Sequence, residues 1–200
     1  MKLFITGIST DVGKTIASAI IVEALEADYW KPVQAGDVDS SDSHKVKSFI
    51  SNKKTIIHPN SYLLNTPASP HLAAAIDGFS IDLKQIKEPI TQNHLVIEGA
   101  GGVFVPLNDT DCIIDLIQPD YKVIVVSRHY LGSINHTLLS LESLKVRKLK
   151  VKGIIFNDKP NLETENYILN YSGVKCLGRI DEHQQITREV VLSYKNKFNF

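Results

Sequence analysis

Residues Gly7-Ile8-Ser9-Thr10-Asp11-Val12-Gly13-Lys14-Thr15 follow an apolar run, Leu3-Phe4-Ile5, and lead into a long apolar-periodic segment. A glycine-bounded loop between a strand and a helix turns successive backbone N–H groups inward around anionic oxygens. Lys14 adds a point charge, and Thr15 offers a hydroxyl to a metal riding on the phosphates. The combination predicts a site for a nucleoside triphosphate with Mg²⁺. Its spacing departs from the commonest phosphate loop: Gly7 stands one residue before that pattern's first glycine, whose place Ile8 takes.

Other residues of the same chemical character are spread along the chain. Glu98 ends the run Leu95-Val96-Ile97 and opens Glu98-Gly99-Ala100-Gly101-Gly102, which puts a carboxylate at a strand terminus beside glycines that permit close approach. That position favours a metal-directed role over a strand-end acid satisfied by backbone amides. Asp42 lies in Asp39-Ser40-Ser41-Asp42-Ser43-His44, where helix capping competes with a site role. Lys31, before Pro32 at the end of a short apolar segment, is a candidate second cation facing the phosphate loop, whereas Trp30 beside it reads as core. The glycines Gly99, Gly101 and Gly102 lack the order of a dinucleotide fingerprint, so nicotinamide binding is not expected. The seven histidines form no ligand cluster, which argues against zinc.

Something must hold these residues together. Lys14 to Ala27 carries Ile16, Ala17, Ile20, Ile21, Ala24 and Leu25 at helical spacing, and Asp28-Tyr29-Trp30 then reads as a short strand. The runs 94–97, 123–126 and 151–156 are short and largely β-branched, as in buried parallel strands. Helical patterns are expected at Ser80–Gln92, Cys112–Ile117 and Ile134–Val146, with an edge strand at Tyr62-Leu63-Leu64. The alternation predicts an α/β fold: a P-loop NTPase-type three-layer sandwich with a mostly parallel central sheet, formed by residues 1–200 as a single nucleotide-binding catalytic domain. Ligands of such sheets sit beyond the carboxyl ends of the strands. The segments 7–15, 31–36, 98–102, 128–135 and 157–158 should therefore converge on one crevice. The tail, Tyr194–Phe200, is expected to fray or to dock through its phenylalanines.

Composition narrows the setting. Two hundred residues with 43% hydrophobic and 22% charged content suit a globular domain rather than a disordered chain. Lysine plus arginine (22) balances aspartate plus glutamate (22), so no global field favours nucleic acid or an anionic membrane. Cys112 and Cys176 have neither metal-ligand spacing nor the density of a disulfide scaffold, and no apolar leader or span stands out, which fits a cytoplasmic protein.

Taken together, these segments resemble dethiobiotin synthetase, over most of the chain. Gly7–Thr15 resembles the family's long phosphate loop, Lys31-Pro32-Val33 its Lys-Pro-Val segment, Asp42 its metal aspartate, and Ala68-Ser69-Pro70-His71 its Ser-Pro-His turn. Glu98-Gly99-Ala100-Gly101-Gly102 with Val105-Pro106-Leu107, the interface loop Leu131–His136, and the base-reading pair Asn157-Asp158 match as well. The resemblance implies conversion of 7,8-diaminononanoate, CO₂ and ATP to dethiobiotin, ADP and phosphate, with no protein nucleophile. It places Lys14 and Lys31 as catalytic cations at the γ-phosphate and carbamate, and Thr15, Asp42 and Glu98 around Mg²⁺. It assigns Gly7, Asp11, Val12, Gly13, Asn157 and Asp158 to the nucleotide, and Thr10, Asp11, Lys31, Ser69 and Gly101 to the substrate. Gly132, Ser133, Ile134 and Asn135 would reach a partner's substrate across a homodimer axis.

Two departures stand out. Ala35 replaces a frequent hydroxyl residue after Lys-Pro-Val, so a hydrogen bond to the carbamate region is missing or comes from Gln34 or water. After Cys176-Leu177-Gly178 the chain continues Arg179-Ile180-Asp181, where the family usually proceeds to a proline that packs on adenine. This opens a nucleotide preference broader than ATP. The rival readings are a partitioning-type P-loop ATPase acting as a nucleotide-switched binding protein and an amide-forming synthetase of corrinoid metabolism. The first usually carries a lysine early in the phosphate loop, where this chain has Ile8-Ser9; the second would need a cysteine-bearing amidotransferase domain.

Overall fold

The computed structural model describes residues 1–198 and 200. In chain order the elements are β1 (Lys2–Gly7), α1 (Lys14–Leu25), β2 (Asp28–Trp30), β3 (Val33–Ala35), α2 (Asp42–Phe49), β4 (Ile57–His58), β5 (Tyr62–Leu64) and α3 (Pro70–Ile76). They continue with β6 (Leu95–Gly102), β7 (Lys122–Arg128), α4 (Ser133–Val146), β8 (Lys150–Asn157), α5 (Leu162–Ser172), β9 (Cys176–Ile180) and α6 (Arg188–Ser193).

The short β-branched runs become the central strands because both faces of each are covered. Leu3-Phe4-Ile5, Val123 to Val126 and Ile154 to Phe156 are fully excluded from solvent. Seven strands form one sheet in the order β4-β2-β6-β1-β7-β8-β9, and every pairing is parallel. From β1 the chain crosses by α1 toward one edge, and from β7 it crosses by α4 toward the other. Right-handed crossovers running in opposite directions put these helices on opposite faces. Accordingly α1 packs with α2 and α6, and α4 packs with α5. The reversal of direction leaves a crevice at the carboxyl end of β1, between β6 and β7. β3 and β5 pair separately, also in parallel, and carry Val33-Gln34-Ala35 alongside that crevice.

Helix α1 stops at Leu25, short of Ala27, because Glu26 takes a left-handed conformation (φ 51°) and its N–H caps the Val22 carbonyl. The helix expected at Ser80–Gln92 reduces to a 3₁₀ turn over Leu83–Gln85. There Asp82 accepts from the Lys84 N–H, and Glu88 is drawn to Lys2 and to the Tyr121 hydroxyl, so tertiary partners override the helical pattern. Cys112–Ile117 likewise forms only a 3₁₀ turn, Ile113–Leu116. Trp30 is core, with Nε1 donating to the Pro59 carbonyl at 3.1 Å. The tail docks through Phe198, which packs on Tyr194 and on Gly178, where a Cβ would come within 2.5 Å of its ring.

Candidate active site

Gly7 leaves β1 between Gly102 of β6 and Val126 of β7, and the Ile8 N–H continues the ladder to the Val126 carbonyl at 3.1 Å. The loop then closes on itself. A Cβ on Gly7 would lie 2.6 Å from Val12 and 2.7 Å from the Ser9 carbonyl, so only glycine admits this turn. Asp11 (φ 55°) and Gly13 (φ 96°) are both left-handed, and Gly13 precedes α1 with no side-chain cap. The first N–H groups of α1 are therefore free for an anion. Lys14, 7% exposed, folds back so that Nζ donates to the Ser9 carbonyl at 3.1 Å. Burial pushes its ammonium below the ordinary lysine range, with the Glu98 charge pulling the other way.

Across the crevice a second set of charges meets. Lys31, 5% exposed at the end of β2, makes an ion pair with Asp42 and donates to Glu98 Oε1 at 3.4 Å. Glu98 is wholly buried, accepting from the Thr15 hydroxyl at 3.0 Å on Oε1 and from the Tyr29 hydroxyl at 2.9 Å on Oε2. Burial disfavours charge on Lys31, but Glu98 and Asp42 outweigh it and hold the ammonium above its ordinary value. Burial would raise the Asp42 carboxyl, and Lys31 reverses this. The Tyr29 phenol is driven well up by burial and by the charge of Glu98, so it remains a hydrogen-bond donor. Asp42 is the first helical residue of α2 rather than its cap, and Ser41 in the cap position makes no side-chain capping bond. The capping alternative for Asp42 thus gives way to the ion pair.

These groups line one cavity of about 790 Å³, into which Thr10, Asp11, Gly13, Thr15, Ser69 and Gly101 also open, with Lys14, Lys31, Asp42 and Glu98. Gly101 (φ 63°) is pressed against Val105, 2.7 Å from where its Cβ would be. Val12 is buried beneath the loop. Gly7 and Val12 do not line this cavity, and two further groups of expected residues lie outside it. Asn157 and Asp158, at the end of β8, flank the far side of the phosphate loop: Asn157 Nδ2 donates to the Val12 carbonyl at 2.9 Å, and Asp158 accepts from Arg128 Nε at 2.8 Å. Gly132, Ser133, Ile134 and Asn135 sit at the start of α4 and do not line the cavity of their own chain.

Some participants carry no local signature. Tyr29 lies inside a strand, Lys45 and Phe49 sit on α2, and Ile186 lies before α6, yet the last three also line the cavity. Gln34 is committed to bracing: its amide donates to the Gly36 carbonyl at 2.9 Å, and its oxygen accepts from the Asp42 N–H at 3.4 Å. A smaller cavity of about 290 Å³, lined by Phe4, Trp30, Ile97 and Tyr121, holds none of the residues expected to do chemistry. Since Ile97 and Glu98 are consecutive in β6, it lies on the other face of the sheet.

The arrangement pairs an anion-binding loop with a buried lysine and an oxygen-rich cluster of one hydroxyl and two carboxylates. It suits activation of an oxyanion by phosphoryl transfer. The chain matches a family described as an AAA domain over residues 1–190. It resembles solved P-loop ATPases in fold: a ParA family ATPase from Chlorobium tepidum (TM-score 0.57, 11% identity, 96% of each chain) and the cell division ATPase MinD from Pyrococcus furiosus (TM-score 0.58, 15% identity, 96% of this chain and 87% of that one). Sequence similarity points elsewhere within that fold. The chain is 56% identical to the ATP-dependent dethiobiotin synthetase of Christiangramia forsetii, over 98% of this chain and 94% of the relative. It is 52% identical to that of Cytophaga hutchinsonii, over 98% and 96%. At such identity over nearly the whole of both chains, the protein belongs to the dethiobiotin synthetase family.

Proposed function

We propose that the cavity carries out ATP-dependent ring closure, converting 7,8-diaminononanoate and CO₂ to dethiobiotin with release of ADP and phosphate. One substrate amine adds CO₂ and loses a proton, giving a carbamate. A carbamate oxygen takes the γ-phosphoryl group as ADP leaves, and the neighbouring amine displaces phosphate to close the cyclic urea. The observation that carries this reading is the buried Lys31, set between Asp42 and Glu98 opposite the Lys14 loop. Lys14 and Lys31 neutralise charge on the γ-phosphate and carbamate, while the loop N–H groups hold the phosphates in line. Thr15, Asp42 and Glu98 form an all-oxygen donor set of the kind Mg²⁺ prefers, and these residues would hold it. When bound, the ion supplies further neutralisation of phosphate charge.

The nucleotide is held by Gly7 to Thr15, with Asn157 and Asp158 meeting the base. The substrate lies against Thr10, Asp11, Ser69 and Gly101. Its carboxylate is received by Gly132, Ser133, Ile134 and Asn135 of a second subunit, because that segment lies away from the cavity of its own chain while Leu131 beside it is fully exposed. A cytoplasmic setting accords with two free cysteines and with the absence, among the described residues, of a helix long and apolar enough to cross a membrane.

Incubating the protein with diaminononanoate, bicarbonate, ATP and Mg²⁺ should yield dethiobiotin by mass detection. Nucleotide turnover without that product would favour a switch ATPase instead. Mixing Lys31→Ala with Asn135→Ala subunits tests the shared site. Half the dimers are then mixed, each with one of two sites whole, so roughly a quarter of wild-type activity should return. No recovery, with subunit exchange confirmed, would overturn the cross-subunit assignment.

A further inference from the structure

The loop that follows β8 is gripped from two directions. On the phosphate side, Arg128 donates through Nε to Asp158 at 2.8 Å and reaches the Asp11 carbonyl through Nη1 at 3.4 Å. On the other side stands Glu165, in the first turn of α5 and 5% exposed. Its Oε1 accepts from the Asn161 N–H at 3.0 Å and from His129 Nε2 at 2.8 Å, and its Oε2 pairs with Arg179. One buried carboxylate thereby ties the segment after β7, strand β9 and the start of α5 around Asn157-Asp158. His129 also stacks on Phe156, the residue before Asn157, with ring centroids 5.7 Å apart and planes 19° from parallel. Among the described residues, His129 Nδ1 and Arg179 Nη1 are buried without a protein partner, so these groups have no second acceptor close by. Removing the charge from such a hub leaves an uncompensated cation in a low-dielectric site and shifts whatever it holds.

We propose that Glu165, with His129 and Arg179, is a positioning device that sets the Asn157–Asn161 loop against the purine and so governs which base the site accepts. This rests on the reading of Asn157-Asp158 as the base-contacting pair. It gives Arg179 a purpose: the strand next to β8 is braced from behind by an ion pair with Glu165. None of the three hub residues needs to touch the nucleotide.

The test uses Glu165→Gln, Arg179→Met and Arg179→Lys, with Asp158→Asn as a probe of the loop itself. For each variant the kcat and KM for ATP and GTP, the KM for diaminononanoate and the thermal melt are measured. Glu165→Gln and Arg179→Met should raise the KM for ATP about tenfold, as expected for loss of a charged hydrogen bond. They should also shrink the ATP-to-GTP ratio of kcat/KM, leave kcat within about twofold and spare the diaminononanoate KM. Arg179→Lys should restore part of the preference. A purely structural role would lower the melt and leave the nucleotide ratio alone. If Glu165→Gln does not fold, Arg179→Met carries the test. Folded variants with an unchanged ratio, alongside an altered ratio in Asp158→Asn, would overturn the hub and leave the base loop standing. An unchanged ratio in Asp158→Asn as well would overturn both.

Discussion

At the phosphate end of the site, charge is supplied by residues that sit beside the backbone they serve. Lys14 opens the helix after the loop whose Ser9 carbonyl it meets, Thr15 follows it, and Lys31 and Glu98 come directly after Trp30 and Ile97, the last pair that joins β2 to β6, with β6 itself running on to Gly102. At the purine end, the two residues expected to read the base are held by groups from other elements: Val12, Arg128 and, behind them, Glu165 with its partners on two further segments. The first end binds a ligand feature common to all nucleoside triphosphates and can be built once, by a short motif. The second, in the proposed reading, distinguishes one base from another, and its shape comes from side-chain ties between separate elements. The proposed assignments would make chemistry and selectivity separable in this molecule, and the separation can be attacked experimentally.

The largest effect should come from the phosphate end. Lys14→Ala and Lys31→Ala should stay folded and lose about 10²–10³-fold in kcat for dethiobiotin, the usual cost of removing one electrostatic contact to a developing anion. Lys14→Ala should weaken ATP binding as well. Near-normal product formation by either purified variant removes that lysine from the mechanism and breaks the comparison. Next in size is Gly13→Ala, which probes the join between the ends. Its Cβ would stand 2.2 Å from Asn157 Nδ2, at a φ of 96° that L-residues avoid. It should cost about 1–2 kcal/mol in denaturant unfolding from backbone strain alone and raise the KM for ATP. Adding Asn157→Ala should relieve the clash but not the strain, with a coupling of about 0.5–3 kcal/mol in a double-mutant cycle. Additive effects would mean that the ends are independent. The smallest change is expected from Ala35→Ser, which adds one neutral hydroxyl to the cavity wall. A new hydrogen bond worth about 0.5–1.5 kcal/mol should leave turnover within tenfold of wild type, on the favourable side. A large loss would show that the pocket around Ala35 is shaped against a hydroxyl.

The same contrast explains what could be read in advance. The phosphate loop, Lys31, Glu98 and the central strands were legible because each is a local pattern: a spacing of glycines, a charge after an apolar run, a β-branched stretch. Asp42 was ambiguous, since an aspartate among serines before a helix is also what a cap looks like, and only the fold brings Lys31 to its carboxylate. Tyr29 could not be recognised as a donor to Glu98, because the two are far apart in the chain and meet only when β2 pairs with β6. The segment Ser80–Gln92 differs for a related reason: Ile81, Leu83 and Ile86 join the core from a largely irregular stretch while Ile90 is fully exposed, so the apolar spacing does not mark one face of a helix. The Glu165 hub had no sequence signal, being assembled from three separate segments.

The all-parallel sheet has a consequence for how the protein comes into being. Strand β1 is flanked by β6 and β7, with Lys2 paired to Leu95 and Leu3 to Lys122, and no hairpin lets it pair with a neighbour made just before or after it. During synthesis the nucleotide-binding motif therefore emerges before the strands that flank it and waits, unsupported, until β6 and β7 have left the ribosome; the Asn157 amide beneath it arrives later still. Nascent chains halted before β7 should hold the complete motif and yet give ATP nothing to bind. While that apolar strand stands unpaired, its open edges are a template for pairing with other chains.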